Sequence, residues 1–208
     1  MKSTRLIASL GLALCLGAVA ASVAAAPLKG DPAKAAPMVE EKCAGCHGPD
    51  GNSPAPNFPS LAGQNANYLL QEMQAYKSLR RSNDMMTPPL EGLTDQDLIN
   101  IALFFAKQKP TPGTVGNPDL LKLGGKLYLQ GNPASGVPAC DICHGGDGHG
   151  RSIFPRVAAQ GVDYSIDQFN QYAHDDRKSG KKIMRSVAKR LTEAEIKALA
   201  EYMASLAP

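Results

Sequence analysis

Residues 43–47 read Cys-Ala-Gly-Cys-His, and residues 140–144 read Cys-Asp-Ile-Cys-His. The two CxxCH stretches start 97 positions apart and use four of the five cysteines in the chain. A CxxCH reads as a c-type haem attachment site. Its two thiols add across the porphyrin vinyl groups, and the adjoining histidine is held under the ring as an iron ligand. Cys43, Cys46, Cys140 and Cys143 are therefore the candidate attachment residues, with His47 and His144 as candidate iron ligands. The reading implies two covalently bound haem c groups. A thioredoxin-like site needs a βαβ pattern around its CxxC, and no strand-rich segment flanks either motif. A structural zinc site joins its ligand pairs across about 12–20 residues, far less than the gap here.

The N-terminus predicts export. Lys2 and Arg5 form a charged start, Leu6 to about Ala20 an apolar stretch, and Ala24-Ala25-Ala26 a small-residue cleavage site before Pro27. Residues 1–26 are accordingly read as a cleaved signal peptide and the destination as periplasmic, where haem attachment takes place. A retained anchor needs about 20 apolar residues, a length Leu6–Ala26 nearly reaches, and stays as the alternative. Cys15 follows Leu14, where a lipoprotein site needs a small residue, so it is expected to leave with the leader. Of 22 basic residues, cleavage removes Lys2 and Arg5, leaving 20 against 19 acidic ones. Haem propionates make the holoprotein mildly acidic, and no nucleic-acid footprint is present. Seven basic residues, Arg177, Lys178, Lys181, Lys182, Arg185, Lys189 and Arg190, cluster in one stretch. They are read as a surface patch that either steers docking of an acidic partner or is a solvated charged face with no partner.

The rest of the chain is written twice. Asp50-Gly51 after the first CxxCH answers Asp147-Gly148 after the second. Phe58-Pro59-x-Leu61-Ala62-Gly63-Gln64 answers Phe154-Pro155-x-Val157-Ala158-Ala159-Gln160, and Tyr68 and Tyr76 answer Tyr164 and Tyr172. Met86 and Met184 each stand seven residues before a Leu-Thr pair, Leu93-Thr94 and Leu191-Thr192. Two repeats of this size predict two domains side by side. Each copy carries the same plan: a helix before the CxxCH (Pro37–Lys42; about Asp119–Leu129), a Gly/Pro-rich loop, a middle helix (about Asn67–Leu79; Ser165–His174) and a last helix. Thr94-x-x-Asp97 and Thr192-x-x-Glu195 resemble capping boxes opening last helices that end near Lys107 and Leu206. Pro110, Pro112, Gly113, Gly116 and Pro118 punctuate the linker. The expected domains are residues 27–112 and 113–208, the boundary lying near 113. The chain has no Trp and 5% aromatics, thin for two independent cores, so a buried macrocycle is expected to supply apolar bulk.

Histidine content constrains the sixth iron ligand. The four histidines are His47, His144, His149 and His174. The first copy holds only His47, so its sixth ligand is a methionine, another residue such as lysine, or nothing. Met38 is too close to the attachment site, and Met73 has the spacing of a core residue. Correspondence with Met184 selects Met86, with neighbouring Met85 as the alternative. Met184 competes only with Met203 of the terminal helix. His149 and His174 have no counterparts in the first copy and read as solvated residues.

The whole chain after the leader resembles the dihaem cytochromes c of the cytochrome c4 family. The resemblance is carried by the two CxxCH motifs, the paired Phe-Pro-x-Leu/Val-Ala-Gly/Ala-Gln blocks and the methionine before each Leu-Thr. It implies a mainly α fold, a tandem pair of class I cytochrome c domains each wrapped around one covalent haem, packed about a pseudo-twofold. It implies His47/Met86 and His144/Met184 ligation and Nδ1–H bonds from those histidines to the carbonyls of Pro59 and Pro155. Departures from the family pattern are Pro37 in the first helix, the extra loop Gly131–Ala139 and the short segment Arg80–Asp84 before the first methionine ligand. Thioether ligation raises haem potential, and filled axial positions leave no substrate site. The function expected is electron transfer, not enzymatic catalysis, from a quinol-oxidising complex to a terminal oxidase, such as a haem–copper oxidase, or a reductase. Peripheral membrane association is left open. A second reading is the dihaem subunit of a periplasmic dehydrogenase, such as a flavocytochrome sulfide dehydrogenase. A third is a dihaem peroxidase, which needs an open sixth position.

Overall fold

The computed structural model describes residues 27–151, 153–179 and 182–208. The expected signal peptide and Lys181 of the basic run lie outside the described residues. Helices and turns make up the fold, with no strand longer than an isolated bridge among those residues.

The first half opens with a 3₁₀ turn, Pro32–Ala35, capped by the Asp31 carboxylate. It leads into α1 (Ala36–Lys42), where Pro37 occupies the first turn. Its missing N–H is no loss there. The CxxCH lies on a single turn, α2 (Ala44–His47), ended by Gly48 at φ 78°. The Asn65 side chain accepts from the N–H groups of Asn67 and Tyr68 and starts α3 (Ala66–Lys77). Both halves of the Thr94/Asp97 capping box are formed at α4 (Asp95–Ala106).

The second half repeats the order with α5 (Leu121–Gln130), the CxxCH turn α6 (Asp141–His144), α7 (Val162–Ala173) and α9 (Glu193–Ser205), the last opened by the Thr192/Glu195 box. It adds α8 (Ile183–Ala188), which the sequence reading did not anticipate. The corresponding stretch of the first half holds Pro88 and Pro89 and reaches only a 3₁₀ turn, Pro88–Leu90. Consecutive prolines remove two donors that a helix needs; Ser186 and Val187 keep them. The expected extension of the middle helix to Leu79 is not made. α3 stops at Lys77, and Leu79 turns to φ 56°.

Apolar side chains segregate into two cores. Val39, Leu69, Met73, Leu98, Ile101 and Phe105 anchor one, and Leu127, Tyr128, Phe169, Ile196, Leu199 and Met203 the other. In the second, α5 crosses α9 at Gly124. A Cβ there would collide with the Ala198 carbonyl oxygen and come within 2.7 Å of Tyr202 Cβ. Backbone atoms cannot yield as a flexible side chain can. Gly124→Val is expected to destabilise the holoprotein by about 3 kcal/mol, read as a lower denaturant midpoint. Gly146→Ala, where a Cβ meets nothing within 4 Å, is expected to leave the midpoint unchanged.

Candidate functional site

Each CxxCH histidine is fixed from behind by the loop that follows it. His47 Nδ1–H donates to the Pro59 carbonyl at 3.0 Å, and His144 Nδ1–H to the Pro155 carbonyl at 2.9 Å. These are the bonds that the family resemblance implied. They select the tautomer that leaves Nε2 with a free lone pair. Both rings are buried, and burial pushes their pKa down against the opposing pull of the proline carbonyls, so the imidazoles stay neutral. The two loops are built alike. The Gly51 carbonyl accepts from Leu61 and Ala62, and the Gly148 carbonyl from Val157 and Ala158. Gly51 and Gly148 hold φ 81° and 74°, a region open to glycine at little cost.

Both histidines line one continuous cavity of about 660 Å³ that also reaches Cys43, Cys46, Cys140 and Cys143. None of the four cysteines is in a disulfide. Burial, partly opposed by Lys42, pushes the Cys43 thiol up to about 11. Burial, aided by Asp141 and Cys143, pushes Cys140 up to about 12. Met86 and Met184 line the same cavity and pack against the first and second cores. Met85 reaches the cavity too, but its side chain is 63% exposed. Much of the wall between is apolar, including Leu69, Phe58, Phe169 and Val187, while Arg81, Arg156 and Arg177 also line it. Neutral imidazoles, unpaired thiols and a largely apolar cleft are what a covalently held haem requires. His149 and His174 are exposed, bonded to the carbonyls of Ala207 and Asn170.

The two halves meet through a polar contact that the sequence reading left without a role. Gln64 clasps the backbone of Arg156, donating to its carbonyl and accepting from its N–H, both at 2.8 Å. Gln160 clasps Ser60 in the same way, at 3.1 and 2.8 Å. Each clasp thus holds the residue after the proline that fixes the other half's histidine. Alongside, Glu72 Oε2 takes Arg81 at 2.6 Å and Arg177 at 2.9 Å, while Gln168 Oε1 accepts from the same two arginines. Arg81 stacks on Tyr76 and Arg177 on Tyr172, each 4.6 Å from the ring centre. Arg177 is 2% exposed, which corrects its assignment to a surface patch. Of that patch, Arg185 and Lys189 pair with Asp175, and Arg190 donates to the Gly136 carbonyl. Arg81 and Arg177 share the offset of 96 that relates the tyrosine pairs, so the repeat carried a signal for them.

A helical fold with two CxxCH turns on one cavity defines a dihaem c-type cytochrome. Residues 33–109 match the family described as cytochrome c, and residues 131–203 the family described as cytochrome C oxidase, cbb3-type, subunit III. The chain is 40% identical to cytochrome c4 of Thiocapsa roseopersicina over 88% of its own length and 96% of that protein's. It superposes with a TM-score of 0.82 on reduced recombinant cytochrome c4 from Pseudomonas stutzeri, at 38% identity, covering 86% of this chain and 100% of the other. It is also 32% identical to a thiosulfate dehydrogenase electron acceptor of Stutzerimonas stutzeri, over 79% of this chain and 78% of the relative. The chain belongs to the cytochrome c4 family: a dihaem electron-transfer protein with two cytochrome c domains and two covalently bound haem c groups.

Glu72 gives the contact a measurable pH dependence. Burial pushes its carboxyl up, but Arg177 and Arg81 outweigh this and hold it below the ordinary value of 4.5. As pH falls, the unfolded chain binds this proton first. The stability Glu72 contributes is complete above about 4.5 and is lost as pH drops through the lower folded-state value. Glu72→Gln is expected to cost about 3 kcal/mol at pH 7 and to close on the wild type as unfolding is followed down to pH 3.

Proposed function

We propose that His47 with Met86 and His144 with Met184 are the axial iron ligands, and that thioether bonds form at Cys43, Cys46, Cys140 and Cys143. The observation that carries this reading is that one cavity receives all eight residues. Met86 is preferred to Met85 because its part-buried side chain already packs on the first core. The domains are taken as 27–112 and 113–208. Glu201 of α9 accepts from the N–H groups of Gly116 and Asn117, which ties the linker beyond 113 to the second half.

Haem held in this way supplies a one-electron Fe(III)/Fe(II) couple. The chain's part is to keep the axial set constant. The Nδ1 bonds hold each imidazole in one tautomer and orientation, and with Met86 and Met184 also bound the iron would have no position left for a substrate. The Gln64 and Gln160 clasps hold the two sites at a set separation. On this reading the protein is a periplasmic carrier that takes electrons from a quinol-oxidising complex and delivers them to a terminal acceptor such as a haem–copper oxidase. Among the described residues no helix is long and apolar enough to cross a membrane.

A second reading is that the donor is a dedicated dehydrogenase. It is favoured by the likeness to the thiosulfate dehydrogenase electron acceptor and to thiosulfate dehydrogenase (TsdBA) from Marichromatium purpuratum, with a TM-score of 0.74 at 29% identity over 83% of this chain and 40% of that one. Stopped-flow kinetics separates the two. The carrier reading expects saturable reduction by a quinol-oxidising complex and oxidation by oxidase-containing membranes. Reduction by thiosulfate dehydrogenase alone would favour the second.

The ligand assignment has its own test. Met86→Ala and Met184→Ala are each expected to open one haem to carbon monoxide in the reduced protein and to lower one potential. Met85→Ala is expected to do neither.

A further inference from the structure

Arg156 is buried at the contact between the halves, 6% exposed, and lines the shared cavity. Its guanidinium donates to the Ala158 carbonyl at 2.8 Å and across the contact to the Ala62 carbonyl at 3.0 Å, while Nε–H has no acceptor. Among the described residues no carboxylate pairs with it, and burial alone pushes its pKa down. The corresponding residue of the first half is Ser60, so the repeat does not explain the charge. The buried arginines Arg81 and Arg177 share one glutamate, Glu72, and buried Arg156 has only the two carbonyls. Two positive charges are left over in a desolvated contact, an arrangement strongly unfavourable without an anion.

The group that the cavity holds brings such anions. A haem bonded through its vinyl edge to a CxxCH carries two propionates on the far edge of the macrocycle. The buried cations lining the cavity, Arg81, Arg156 and Arg177, all lie at the contact between the halves. We propose that Arg156 is the positioning residue for a haem propionate, its Nε–H donating to a carboxylate oxygen, and that its charge holds up the potential of that haem. The sign follows from charge alone: oxidation leaves the haem more positive, and a fixed cation nearby disfavours that state. The proposal rests on the haem-bearing reading of the cavity, and haem content per chain checks that reading separately.

The test is a spectroelectrochemical titration of holoprotein carrying Arg156→Gln, after a pyridine haemochrome assay has shown two haems per chain. The expected result is that one of the two couples moves down. At fixed ambient potential its reduced-to-oxidised ratio falls about tenfold, or about 59 mV for a one-electron couple. Arg156→Lys keeps the charge and is expected to restore most of that loss. It is also expected to shift the propionate bending band in the resonance Raman spectrum, because the planar donor is gone. Two unchanged couples in a fully loaded Arg156→Gln protein overturn the proposal. Should that variant fail to load, an unchanged propionate band in Arg156→Lys overturns it instead. Wild-type potentials that track phosphate or chloride concentration would place a solution anion at Arg156 and overturn it as well.

Discussion

The hydrogen bond from each CxxCH histidine to a proline carbonyl is the constraint on which the rest of the molecule depends. An imidazole on a single helical turn is free to rotate unless something behind it accepts its Nδ1–H. Pro59 and Pro155 do so from 12 and 11 residues further along the chain, and proline's fixed φ helps hold each carbonyl in place. The intervening loops exist to bring those carbonyls back under the ring. Their turns at Gly51 and Gly148, and the hydrogen bonds these carbonyls accept, follow from that requirement. The neutral, oriented imidazole that results is the form able to bind iron.

The same loops also join the halves. Because Gln64 and Gln160 bind the backbone of Arg156 and Ser60, the residues that follow the two prolines, the contact and the two histidine supports are one structure. Movement between the halves would be felt directly at the histidines. The Arg81–Glu72–Arg177–Gln168 cluster reinforces this contact with buried, charge-assisted hydrogen bonds. Such groups are costly to bury and costlier to leave unpaired, so they oppose any slippage of the interface. The symmetry is imperfect: Glu72 answers Gln168, and Ser60 answers Arg156. The two sites therefore share a plan but sit in different electrostatic surroundings.

Much of this was legible in the sequence because it is local or repeated. The capping boxes at Thr94 and Thr192, the turn glycines and the helix before each CxxCH depend on residues a few positions apart, and the repeat supplied a second copy against which to read each one. What the sequence hid depends on burial across the contact. Arg177 sits among six other basic residues, and nothing local distinguishes a buried guanidinium from a solvated one; only its match to Arg81 could have separated it. Helix α8 was missed for the opposite reason. The first copy, with Pro88 and Pro89, was a poor guide to a segment that in the second copy has no proline. The Gln of each Phe-Pro block was visible as a repeated residue, but its partner is in the other half and no sequence period points to it.

The central claim is that each iron is closed by one histidine and one methionine of this chain. Near-infrared magnetic circular dichroism of the oxidised holoprotein, calibrated against haem content, tests it most directly, because thioether-to-iron charge transfer is specific to the axial sulfur. The account predicts two low-spin haems per chain, both with the histidine–methionine band at full intensity. Half intensity, a bis-nitrogen spectrum or a high-spin haem would contradict it and return an open or differently ligated site to consideration.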